Sequence, residues 1–265
     1  MKKLFLIVIL AVCALPLQAA STATIKLSTV SHRAFYPGEK FVFAIKYEFI
    51  HAGEASLEVT RSVFVASRPT LGFMSIAKSN NFVDAFFKVR DFNGSQVDEA
   101  SLASVNFHQN LREGGYKVVR NTSINYARGI YTYEKHYKGK ITKREGPVTQ
   151  PVSDILSSFF YTRTLPLEPG KEYSFMVFSD GDTYPMKVVV GSKLKKIRVA
   201  AGEFECLEVQ PVVVGDAIFK ASDGKMTIWM TNDERKMPVL IRSKVAVGAF
   251  DAELLSFRPG KPDQP

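Results

Sequence analysis

The histidines are the first residues to weigh for chemistry: His32, His51, His108 and His136. No two of them have ligand-like local spacing, and no His-Glu-x-x-His occurs. A zinc thiolate site needs several thiolates, and past residue 20 the chain offers Cys206 alone. Cys206 lies in the alternating stretch 203–209 and reads as a small buried apolar residue rather than a reactive thiol. Asp180-Gly181-Asp182 has two oxygen ligands of a calcium loop but lacks the rest. It reads as a tight turn. There is no Gly-x-Ser-x-Gly elbow and no glycine-rich phosphate loop. Asn121-Thr122-Ser123 matches a glycosylation sequon but reads as a strand or turn segment. Paired carboxylates can still meet in space, which a sequence does not display. The sequence therefore assigns no catalytic residue, no metal ligand and no cofactor.

A different pattern points to binding. Lys117, Arg120, Arg128, Lys135, Lys138, Lys140, Lys143 and Arg144 crowd one stretch, interleaved with Tyr131 and Tyr133. Few acids answer them there: Glu113, Glu134 and Glu145. If these side chains share one sheet face, that face attracts anions. For an exported protein the fitting anions are lipid headgroups, lipopolysaccharide phosphates or acidic glycans, not nucleic acid. A second basic run is Lys193, Lys195, Lys196 and Arg198. The chain also holds 20 Phe and 10 Tyr with one Trp. Most of that aromatic mass must be core, and some could line an apolar cavity.

Strands must position these groups. Residues 41–49 place Phe41, Phe43, Ile45, Tyr47 and Phe49 at a period of two, the mark of a half-buried strand. His51 to Glu54 reads as a turn, and 55–65 resumes the alternation to complete a hairpin. Residues 82–89 fit a short helix or a strand, with Asn93-Gly94 as a following turn. Further strands are expected at 104–109, 116–124, 130–137, 173–178, 184–190, 195–199, 204–214, 225–230, 239–247 and 252–257. Turns fall at Gly114-Gly115, Lys138-Gly139, Ala201-Gly202, Asp223-Gly224 and Asn232-Asp233. One helix is expected near 153–162, capped by Ser153 or Asp154. Its apolar stripe is Ile155, Leu156, Phe159 and Phe160. The expectation is an all-β fold: a large antiparallel β-sandwich or a barrel-like curved sheet with that one helix.

The N-terminus supplies an address. Lys2 and Lys3 precede an apolar run at 4–15, then Pro16 and small residues up to Ala20. That order predicts a secretory signal peptide over 1–20. The run is too short for the roughly twenty residues of a membrane-spanning helix. The resemblance of Leu10-Ala11-Val12-Cys13 to a lipobox is weaker, because Val12 replaces the usual small residue. Residues 21–258 are expected to form one β-rich domain, with a two-lobed split near 146–169 as the variant. Residues 259–265 are expected to be a disordered tail. The predicted location is the periplasm, with association to the outer membrane as the alternative.

Several short blocks, in order along the chain, resemble the bacterial "domain of unknown function 3108" family. Phe35-Tyr36-Pro37-Gly38-Glu39-Lys40-Phe41 and Ala52-Gly53-Glu54-Ala55 resemble its opening strand and turn. Asp154, Ser157, Tyr161 and Arg163 match its Asp-x-x-Ser helix ending in Tyr-x-Arg. Gly202, Phe204 and Cys206 resemble its Gly-x-Phe-x-Cys block. Ile228, Trp229, Asp233, Pro238 and Val239 resemble its Ile-Trp-x-x-Asp…Pro-Val block. The resemblance spans about 35–257 and implies an exported all-β protein of Gram-negative-type bacteria. It carries over no activity and no catalytic residue. Structural roles are expected for these positions. Gly53 and Gly202 would take turns of positive φ, Trp229 would anchor the core, Asp154 would cap the helix, and Arg163 would pair with a carboxylate such as Asp233.

The functional expectation is a non-enzymatic β-protein that binds an apolar or amphipathic cell-envelope component. Its inner aromatic face would take an acyl chain. A second reading is an assembly factor that docks an envelope protein through a sheet edge. A third is a glycan-acting hydrolase. Oligomeric state is not legible.

Overall fold

The computed structural model describes residues 25–61, 68–213, 226–244 and 248–262. The expected signal peptide, the Asp223-Gly224 turn, the far end of the 55–65 strand and the last three residues lie outside them. The first strands are β1 (Lys40–Tyr47), β2 (Ile50–Arg61), β3 (Thr70–Ser79) and, after helix α1 (Asn81–Asp84), β4 (Arg90–Asp98). β5 (Ser104–Glu113), β6 (Tyr116–Asn125), β7 (Ile130–Tyr137) and β8 (Lys140–Pro147) continue the meander. Helix α2 (Ile155–Thr164) follows. The second half holds β9 (Glu172–Ser179), β10 (Asp182–Val190), β11 (Lys195–Val199) and β12 (Gly202–Val213). It ends with β13 (Met226–Thr231), β14 (Pro238–Lys244) and β15 (Ala249–Arg258).

Among the described residues fifteen strands join one antiparallel sheet, in the order β8-β7-β6-β5-β4-β3-β2-β1-β15-β14-β13-β12-β10-β9, with β11 beside β12. The sheet is curved and barrel-like but not closed, because β8 and β9 remain its two ends. Residues 148–153 cross that gap. Ser104 N donates to Val152 O at 2.9 Å and Phe178 N to Ser153 O at 2.8 Å. The 146–169 region therefore lies between the two ends of one continuous sheet.

α2 packs on the inner face of β3, β4 and β9. Phe73 and Phe160 stack with ring centroids 4.0 Å apart, inside a cluster with Val59, Leu71, Val97 and Phe107. Leu156 and Phe160 are buried as expected, but Ile155 is exposed at the first turn, so the stripe is narrower than its residue types suggest. Asp154 is the N-cap. Its carboxylate accepts from Leu156 N and Ser157 N at 2.8 Å and from the hydroxyls of Ser95 and Ser104. Burial pushes its pKa up, against those hydrogen bonds.

Several local expectations fail for clear reasons. Asn93-Gly94 is not a turn but the middle of β4, paired with Ser75 and Met74 on one side and Gln109 and His108 on the other. Ladder partners on both sides outweighed the turn propensity of the dipeptide. The 51–54 turn is also wrong: the chain turns at Glu48 and Phe49, with Glu48 at φ 52°. Gly53 is a strand residue without positive φ, and a Cβ there would run into the carbonyl oxygen of Lys78. It permits close approach of β2 to β3. Gly202 does take positive φ, at 136°. The β1 alternation breaks at two register shifts. Phe41 and Phe43 are buried while Phe49 stands in the turn, 90% exposed.

Candidate functional site

The strongest internal anchor is polar. Arg163, at the end of α2, is fully buried among the rings of Phe35, Phe41 and Phe160. Its Nη1 and Nη2 reach the two carboxylate oxygens of Glu39 at 2.6 and 3.0 Å. Nη2 also donates to Ala34 O and Arg235 O, and Nε to Lys236 O. The guanidinium thus ties α2 to the start of β1 and to the β13–β14 loop. The expected Arg163–Asp233 pair does not form. Asp233 is exposed and spends its oxygens locally, accepting from Thr231 Oγ1 and from Arg235 N and Lys236 N. An aspartate in a turn satisfies its own backbone first. Burial pushes the Glu39 carboxyl up against the pull of Arg163.

The other family-motif residues are also scaffold. Tyr161 is half-buried, with its ring 4.8 Å from Phe175. Pro238 opens β14, where a strand tolerates a missing N–H. Trp229 packs with Cys206 and Val239 under β11, on the face opposite Ile228 and Met230. The Cys206 thiol is buried, and desolvation pushes it up to about 12.

The basic stretch does not form one face. Strand alternation splits it. Arg120, Tyr131, Tyr133, Lys135, Lys140 and Arg144 share the inner face, as their pairing shows. Lys117 and Lys143 point to the outer face, and Arg128 and Lys138 sit in turns. The shared-face expectation fails because side chains with a period of two alternate faces. Part of the inner set closes the open seam. Tyr133 Oη donates to Asp180 Oδ1 at 2.7 Å and Tyr131 Oη to Gly181 O at 2.7 Å. Arg120 Nε lies 2.9 Å from Asp180 Oδ1 as an ion pair, and Arg144 Nη1 donates to Asp180 O at 3.1 Å. These residues hold the β9–β10 turn against β7 and β8. On the outer face Glu134 bonds His136 and Lys143.

A hollow of about 970 Å³, lined mostly by polar residues, lies against β4–β8, where Gln96, His108, Asn121, Glu134 and Lys143 meet. A second hollow lies at the barrel end where β1 runs into β2 and β3 into β4. It is an apolar pocket of about 590 Å³. Ile45, Gly53, Ala77 and Val89 form its inner floor, and Phe82, Phe86 and Phe87 its lip. The chain between β3 and β4 carries α1 across this mouth. Asn80 pins the start: its Oδ1 accepts from Val83 N at 2.9 Å and its Nδ2 donates to His51 O at 2.7 Å. Arg90 pins the end through Asp84, Nη2 to Oδ2 at 2.5 Å, with Ser79 also bonding that carboxylate. Those hydrogen bonds hold the Asp84 pKa down. Yet Phe82, Phe86 and Phe87 remain 64%, 80% and 51% exposed. Phe87 rests on the β5–β6 turn, where a Cβ on Gly114 would come 2.7 Å from its ring.

Glu113 is the acidic group at the pocket wall. Burial raises its pKa first, then the neighbouring Asp91 charge and their mutual hydrogen bond. Among the described residues no group of three or more His, Cys, Asp or Glu could hold a metal ion. No helix among them is long and apolar enough to cross a membrane.

Of the pocket residues, the sequence pattern singles out Gly53 alone, and that for a turn. One signal was available: residues 82–87 carry Phe82, Phe86 and Phe87 in a segment with no clear strand or helix pattern.

A family model described as "protein of unknown function (DUF3108)" matches residues 42–255. The chain belongs to this family. The DUF3108 chain is similar in fold to the crystal structure of a β-barrel-like protein of the domain of unknown function DUF1849 from Brucella abortus. The TM-score is 0.55 at 10% identity, covering 86% of this chain and 100% of that one. Similarity to a Bacteroides fragilis protein described as exported, with a YmcC-like fold, is slight: TM-score 0.29 at 11% identity, over 84% of this chain and 98% of that one. No curated protein matches.

Proposed function

We propose that this DUF3108 protein is an exported, periplasmic, non-enzymatic carrier or sensor that holds the acyl part of an amphipathic envelope component in the mouth pocket. The observation that carries the reading is the pocket itself. Its volume of about 590 Å³ falls within the roughly 300–1,000 Å³ of ligand sites. Its wall is almost wholly aliphatic and aromatic, and it opens at one end of a curved sheet. Burying its phenylalanines under a ligand would stabilise the complex by about 25 cal/mol per Å² of apolar surface covered.

Two features weigh against the other readings. β8, one free edge of the sheet, is exposed along almost its whole length and carries Lys140, Lys143, Arg144 and Glu145. Charged side chains on an edge discourage strand addition. Asp91 and Glu113 are hydrogen-bonded to each other. Hydrolytic carboxylate pairs stand about 5–9.5 Å apart to admit substrate or water.

The test is titration of the full chain with a fluorescent sixteen-carbon fatty acid. Saturable binding is expected, and Ala77→Phe, which fills the pocket floor, should weaken it at least about tenfold. A folded Ala77→Phe protein that binds the probe as the parent does would refute the pocket. So would a parent chain that does not bind at all.

A further inference from the structure

The pocket mouth belongs to a longer rim, and that rim has two unlike halves. In an up-and-down meander alternate turns fall at the same end. The β1–β2 turn, the β3–β4 segment with α1, the β5–β6 turn and the β7–β8 turn therefore follow one another around this end. Contacts join them in series. Asn80 binds His51 O at 2.7 Å, Gly114 N donates to Lys88 O at 2.8 Å, and the rings of Tyr116 and Tyr137 lie 5.3 Å apart. Tyr47 meets Phe250 at 5.0 Å on the other flank.

One half of the rim is apolar and uncovered: Phe49, Ile50, Phe82, Phe86 and Phe250 are all exposed. Phe49 is not part of the pocket wall, so its exposure has no explanation inside the cavity. The other half is cationic. Lys88 is exposed beside α1, Arg112 and Lys117 face each other across the β5–β6 hairpin, and Lys138 and Lys140 flank the next turn. None of these five forms an ion pair among the described residues. The acids at this end are engaged elsewhere: Glu48 accepts from Ala249 N, Asp84 from Arg90, and Glu113 is bonded to Asp91.

We propose that this rim docks on an anionic bilayer surface. Phe49, Phe82 and Phe86 enter the boundary between headgroups and acyl chains, and Lys88, Lys117 and Lys138 lie against lipid phosphates. An exposed aromatic patch marks an interaction site, and aromatic tips beside cations match the layered chemistry of an anionic interface. For its purpose the proposal rests on the acyl-pocket reading: a mouth held at the bilayer takes up a chain without carrying it through water.

The test is co-sedimentation of the full chain with vesicles of equal phosphatidylcholine and phosphatidylglycerol, against vesicles of phosphatidylcholine alone. Binding to the first and not the second is expected, with release at high salt. Phe49→Ser, and separately Lys88→Gln with Lys117→Gln and Lys138→Gln, should each weaken it by about tenfold or more. Lys195→Gln with Lys196→Gln is the control, because those cations are already paired with Glu208 and Glu203. Phe49→Ser should still bind the soluble fatty acid probe, which separates failure of docking from failure of the pocket. As a second readout, Phe49→Trp should shift its emission to the blue on anionic vesicles only. Equal binding to both vesicle types overturns the proposal. So does no binding at low salt, an equal loss in the lysine control, or a Phe49→Trp emission that does not move. The last two results would leave a protein partner as the occupant of the rim.

Discussion

The Arg163 centre and the phenylalanine rim invert the ordinary placement of charge and oil. At one, a guanidinium lies at 0% exposure among three aromatic rings. At the other, Phe49 and Phe86 stand 90% and 80% in water. The difference is satisfaction. Arg163 has a bidentate carboxylate and three backbone carbonyls, so each of its three nitrogens finds an acceptor in the buried site. The rim residues have no partner to match. Unusual placement with every bond made marks architecture. Unusual placement with surface left over marks contact with something else.

The largest break in that comparison should come from Arg163→Ala. It strands Glu39 as an unpaired buried carboxylate and opens a hole between three rings. A loss of about 3–5 kcal/mol is expected, read as a fall in the denaturation midpoint. A midpoint unchanged within error would mean the centre is not an anchor. Trp229→Ala should come close behind, at about 3–5 kcal/mol. The residue is buried with Cys206 and Val239 and has Arg242 5.9 Å over its ring. If its midpoint stays put while vesicle or fatty acid binding disappears, Trp229 belongs to a site rather than to the core.

The sequence displayed the helix that carries Arg163 and hid both its partner and the rim. Strand alternation from Tyr116 to Tyr137, the cap at Asp154 and the glycine turn at Gly202 were legible, because each is a local rule. The all-β, barrel-like outcome followed from them. β3, β4 and β8 were not legible. Gly72 and Gly94 dilute the alternation of β3 and β4, and β8 (KITKREGP) buries almost nothing, so no apolar period marks it. Glu39 was invisible as the partner of Arg163, since the two lie 124 residues apart and meet only through packing. The basic cluster misled for a related reason. Proximity in sequence set its charges on two faces and in two turns. The pocket needed four separate segments to meet, at Ile45, Ala77, Glu113 and Phe250.

Asp154→Ala should cost less than either core change, about 1–2 kcal/mol by loss of the cap. It frees two helix N–H groups and the Ser95 and Ser104 hydroxyls, all in a buried place. Asp154→Asn keeps an acceptor for the helix and should recover most of that loss. Because the folded-state pKa of Asp154 is raised, its contribution is greatest below the unfolded value and declines as pH rises through the folded one. The asparagine variant should lack this decline. Equal pH dependence in parent and variant would refute the assignment.

Asp84 reverses the sign and acts only locally. Its folded pKa is held below the ordinary 3.8 by Arg90 and Ser79. The pinning of α1 is therefore present above that value and is lost as pH falls through the folded one. Hydrogen exchange in residues 81–87 should quicken at the acid end while β-strand amides stay protected. Arg90→Gln should bring the same quickening at neutral pH. Slow exchange in that variant would mean that Asn80 alone secures the mouth.

The smallest stability effect should be at the rim itself. Phe86→Ser removes a ring that is 80% exposed, so the folded state loses little packing. A change within about 0.5 kcal/mol is expected, of either sign. The same substitution removes apolar wall from the pocket and an aromatic tip from the rim. Fatty acid binding and anionic vesicle binding should therefore both weaken while the denaturation midpoint holds. Arg163→Ala should show the opposite order, stability first and binding only through it. If Phe86→Ser instead unfolds the protein, the phenylalanines at the mouth are core residues, and the contrast between anchor and rim collapses.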